Sequence, residues 1–69
     1  MDTTEDRLAN LDRLIGDTEE RRIEQMLHIA FLMADDEDTT EAEDRLQQIE
    51  TLLAKMRVQR IMQQSGPNA

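Results

Sequence analysis

Apolar residues recur three and four apart along most of this chain, the spacing that aligns side chains on one face of a helix; nothing supports a strand. Only Gly16 and the terminal Gly66-Pro67 punctuate the pattern. The expectation is all-α: one helical domain over residues 1–64, with helices at about 4–15, 18–34 and 41–63, then a disordered tail at 65–69.

Thr3 or Thr4 can cap a first helix whose Leu8, Leu11 and Ile15 share a face. Gly16 stands where helices commonly stop, and Asp17 with Glu20 resembles a capping box that would start a second helix near Thr18. One continuous helix from 5 to 34 is the alternative, its stripe in phase across Gly16 but with no apolar residue between Ile15 and Ile23. A glycine inside a helix costs about 1 kcal/mol, which favours a break or kink.

The second segment places Ile23, Met26, Leu27, Ala30, Met33 and Ala34 in a band about 120° wide at 100° per residue. Ile29, Phe31 and Leu32 fall outside it, so the run LHIAFLMA is apolar nearly all round and calls for burial on more than one side. The acids DDED at 35–38 oppose the negative end of a helix dipole and suit a solvated turn. Thr40 with Glu43 then reads as a capping box opening a last helix about 35 Å long. Its stripe is Ala42, Leu46, Ile49, Leu52, Leu53 and Met56, after which apolar character moves to another face as Ala54, Val58, Ile61 and Met62. Met26 and Met56 read as core, and Met62 as interface. EDRLANLDRLI at 5–15 and EDRLQQIETLL at 43–53 read as two helix starts obeying one set of rules rather than as a duplicated functional motif.

Size changes the picture. With 69 residues, no Cys and a single His, the chain can close neither a disulfide nor a zinc site, and a core this small is marginal unless another chain completes it. Charge points the same way as pattern. Residues 1–44 hold 15 acids and 4 bases, whereas 45–69 hold only Glu50 against 4 bases. An antiparallel pair would lay Lys55, Arg57 and Arg60 beside Glu19, Glu20 and Glu24. The expected fold is an antiparallel helical hairpin with a short N-terminal helix, completed by a partner or by dimerisation.

The net charge of -8 argues against a nucleic-acid partner, because phosphate neutralisation by Lys and Arg supplies most non-specific affinity. A small dimeric nucleic-acid regulator using Arg45, Lys55, Arg57 and Arg60 is disfavoured on that ground. No signal-peptide pattern opens the chain, and the apolar run IAFLMA is far too short to span a bilayer, so no membrane partner and a cytoplasmic location are expected.

Candidate chemistry adds little. Set on the calcium-binding EF-hand loop from Asp36, the sequence puts Thr40 at the fifth place, Glu41 where glycine is needed and Gln47 where the bidentate Glu belongs, so no metal is expected. His28 with Glu24 reads as a surface pair one helical turn apart. With no Gly-rich loop, no Cys and no Ser beyond Ser65, neither a catalytic residue nor a cofactor is expected, and the chain reads as non-enzymatic.

The acid-rich L-x-x-L segment at Leu8 and Leu11, the stretch RRIEQML at 21–27 and IETLLAKMRVQRI at 49–61 resemble the small YscE-like co-chaperones of type III secretion needle subunits. The resemblance covers about residues 5–62. This chain departs from that family in its DDEDTT turn, where those proteins tend towards Gly or Pro, and in Arg57 and Arg60 of the last helix. The resemblance implies pairing with a tetratricopeptide-like chaperone that helps keep the needle subunit unpolymerised. From the residues themselves, the expected function is a protein-protein interaction module that docks Ile29, Phe31, Leu32, Val58, Ile61 and Met62 on a different protein. The alternative is a homodimeric four-helix bundle in which the same faces pair with themselves.

Overall fold

A computed structural model describes residues 3–65, with side chains from Glu5 to Gln64. Two helices, α1 (Thr3–Ala34) and α2 (Thr40–Ser65), form an antiparallel hairpin measuring 53 × 19 × 11 Å. All-α architecture and the hairpin are as the periodicity predicts. The side chains of Thr3 and Thr4, on which the expected cap depends, and the tail expected at 65–69 apart from the backbone of Ser65, lie outside what the structure describes.

The hairpin closes along a seam of alternating three- and four-residue steps. On α1 the inward positions are Leu8, Leu11, Ile15, Thr18, Arg22, Gln25, Ile29 and Leu32; on α2 they are Ala42, Leu46, Ile49, Leu53, Met56 and Arg60. This is the a/d pattern of a two-stranded coiled coil. Leu11, Leu53 and Met56 form its buried cluster, with Ile15 packed against them. Ala42 and Met56 belong to the predicted stripe of α2, but Leu52 stays 45% exposed, one step off the seam.

The short N-terminal helix is not formed, because α1 runs unbroken through Gly16. Gly16 is exposed and a Cβ there would meet nothing within 4 Å, so its helical cost is small and local. A break would instead give up several i to i-4 hydrogen bonds and separate Ile15 from Thr18, neighbours on the seam. Continuity has a further consequence. A rigid helix must keep the phase set by Leu8, Leu11 and Ile15, which leads to Thr18, Arg22 and Gln25 and not to Ile23, Met26 and Leu27. The band expected to face the core is therefore rotated by about 120° away from it.

The turn is specified on both sides. Asp36 adopts φ 55°, the Asp36 N–H donates to the Met33 carbonyl at 3.1 Å, and the Glu37 N–H donates to the Leu32 carbonyl at 2.9 Å. That pair of bonds is the Schellman closure, with Asp36 in the left-handed place usually held by glycine. The next helix is capped one step earlier than expected. Thr40 is already helical, and the Asp38 carboxylate accepts both its N–H (3.0 Å) and its hydroxyl (2.7 Å). The Glu43 side chain accepts the hydroxyl of Thr39, not of Thr40, at 2.9 Å. Of the four clustered acids, Asp38 thus sits at the positive end of α2, where negative charge is stabilising.

Candidate interaction surface

Among the described residues three ion pairs tie the two helices together, all charge-assisted and all on one flank. Arg57 Nη2 meets Glu19 Oε2 at 2.8 Å, Arg22 Nε meets Glu50 Oε2 at 3.1 Å, and Arg60 binds both carboxylate oxygens of Asp12. The basic end of α2 does lie along the acidic α1, as the charge asymmetry predicts, although Arg60 takes Asp12 as its partner. The Arg60 hydrogen bond holds the Asp12 carboxyl below its ordinary range and raises the guanidinium's own proton affinity. Asp38 is likewise lowered, first by the Thr40 hydroxyl and then by the Thr40 N–H. Two members of the supposed basic patch, Arg57 and Arg60, are therefore engaged within the hairpin.

The seam also carries two polar side chains. Thr18 is buried and returns its hydroxyl to the Leu14 carbonyl at 2.7 Å, while the Gln25 amide crosses to the Ala42 carbonyl at 2.9 Å, reaching over the smallest residue of the α2 seam. Both polar groups are satisfied, so the seam carries no orphaned donor or acceptor at these positions.

The apolar residues the seam omits face outward. Among the described residues ten large apolar side chains are exposed against four apolar residues buried, an inverted ratio for a self-sufficient domain. On α1 the outward set is Ile23, Met26, Leu27, Phe31 and Met33, with Ala30 and Ala34 between them. Phe31 is 69% exposed. On α2, Val58, Ile61 and Met62 form a second outward face with Ala54.

Of the six predicted interface residues, Phe31, Val58, Ile61 and Met62 are exposed as expected. Ile29 and Leu32 are not on the outer face: they are half-buried on the seam, because the phase of the continuous helix turns them towards α2. Met26, expected in the core, is 45% exposed for the same reason. Ile23 and Leu27, each 55% exposed, belong to the surface and were hidden by their apparent fit to a core stripe. The distinguishing signal was the strict three-four spacing from Leu8 onward.

No deep cavity accompanies these faces among the described grooves. One open groove of about 550 Å³ runs between the helices and is lined by Arg21, Gln25, Arg45, Gln48, Ile49 and Leu52. Among the described residues no group of three His, Asp or Glu side chains is placed to hold a metal ion, and no helix is long and apolar enough to cross a membrane. No protein-family model, no curated protein and no solved structure matches the chain.

Proposed function

We propose that the chain is a non-enzymatic helical docking module that binds protein by burying its outward apolar helix faces. The observation that carries this reading is the row Ile23, Leu27 and Phe31, at least 55% exposed throughout, on a hairpin whose seam buries four apolar residues among those described. Each such side chain contributes about 1.5–3 kcal/mol when taken wholly out of water. Contiguous apolar faces of this kind mark interaction sites on soluble proteins. Helix-on-helix burial, or a helix laid in a groove, is the corresponding mode of recognition.

The co-chaperone role implied by the YscE-like resemblance is one form of this reading, in which a tetratricopeptide-like chaperone in the cytoplasm covers these faces. The hairpin with surplus apolar faces supports it; the unbroken α1 departs from the short first helix on which the likeness drew. The docking reading is tested by replacing Phe31 and Ile61 together with Asp. Both face solvent, so circular dichroism should show the helix content retained while the partner protein recovered by pull-down with the wild-type chain is lost. Collapse of the helical signal would identify both residues as core and sink the reading.

A further inference from the structure

The two outward faces share a flank. Ile23 stands four residues after Glu19, and Ile61 four residues after Arg57, which places each on the face of the residue it follows. Glu19 and Arg57 are themselves bridged across the helices. Along that flank the faces occupy opposite ends. The α1 face lies between Ile23 and Ala34, next to the turn; the α2 face lies between Ala54 and Met62, which the Arg60–Asp12 pair sets beside the first half of α1.

Their charged borders are opposite as well. Glu20 and Glu24 edge the α1 face and form no ion pair among the described residues. Lys55 edges the α2 face, likewise without an ion pair among the described residues, and no acid occurs between Thr51 and Ser65. Each face is thus bordered by charge opposite to that of the other.

We infer that a second copy of this chain occupies these faces, related by a two-fold axis so that the α1 face of each copy covers the α2 face of the other. Lys55 of one copy then meets Glu20 and Glu24 of its mate. The inference rests on the docking reading and names its partner. In a two-fold interface every contact is made twice, so a surface carrying two unlike but complementary faces at opposite ends satisfies both at once. A foreign partner would have to supply both complements itself.

Sedimentation equilibrium of the full chain over the micromolar range, read by interference optics because the chain has no Trp or Tyr, tests the assignment. The expected result is a species of twice 8.0 kDa. Lys55→Glu should weaken the dimer about tenfold, since like charges would then adjoin across the interface. The same is expected of Glu20→Lys with Glu24→Lys, and combining all three substitutions should restore dimerisation. These changes lie outside the seam, so circular dichroism should stay constant throughout. A fully helical monomer at every concentration would overturn the second copy as occupant while leaving the docking reading to its own Phe31 and Ile61 test. A dimer indifferent to both charge reversals would overturn this face as the interface.

Discussion

At the far end of the hairpin Leu11, Ile15, Leu53 and Met56 turn inward and touch, whereas at the turn end Ile23, Leu27 and Phe31 turn outward and leave Arg22 and Gln25 on the seam. Both ends are drawn from the same two helices, and α1 is no less apolar at the turn end. The difference lies in phase. Once the far end sets the three-four register, an unbroken α1 carries it forward, and the apolar residues that miss the register have nowhere to go but outside. The hairpin is therefore packed most closely at the far end, where the Arg57 and Arg60 ion pairs also lie, while the turn-end seam sets Gln25 beside half-buried Ile29, Leu32 and Leu46 and leaves the outward face of α1 uncovered.

The largest expected contrast comes from truncating one leucine at each end. Leu53 is 2% exposed, so Leu53→Ala should destabilise the hairpin by about 2–5 kcal/mol in urea-induced unfolding, enough to unfold most of a small chain. Leu27→Ala, at 55% exposure, should cost about 0.5 kcal/mol or less at concentrations low enough to keep the chain monomeric. Equal costs would mean that the turn-end face is packed within the monomer.

A smaller effect separates the backbone demands of the two ends. Gly16→Ala should stabilise by up to about 1 kcal/mol, because the position is helical and a Cβ meets nothing. Asp36→Gly should also stabilise, by about 0.5–1 kcal/mol, since φ 55° suits glycine and strains an L-residue. Thermal melts would register both. A lower melting temperature for Gly16→Ala would mean that the helix needs a bend there.

The smallest effect is acid sensitivity, present at both ends through Asp12 and Asp38. Each has a folded pKa below its unfolded value of about 3.9, so each contributes stability above that pH and loses it as the pH falls through the lower folded value. The stability difference between the wild type and Asp12→Asn, or Asp38→Asn, should therefore be constant near neutrality and close below about pH 4. A gap that stays constant into strong acid would dissociate these carboxylates from the bonds described. Arg60 changes nothing in this range, because its raised pKa affects stability only in strong alkali.

Much of the fold was legible in the residues. The acids at 35–38 marked the turn, and Ala42, Leu46, Ile49, Leu53 and Met56 declared the inner face of α2, because local periodicity and charge are carried by neighbours in the chain. The site was only half legible. Phe31, Val58, Ile61 and Met62 stand out as apolar residues beyond any one stripe, but a count of apolar positions rewards the wrong face of α1, where Ile23, Met26 and Leu27 look more like a core than Thr18, Arg22 and Gln25 do. Helix type, hairpin topology and charge polarity follow from the sequence by itself. Whether Gly16 would bend, and hence which way the second half of α1 would face, was decided only by the tertiary structure: a single glycine's preference of about 1 kcal/mol is smaller than the hydrogen bonding and the seam that an unbroken helix preserves.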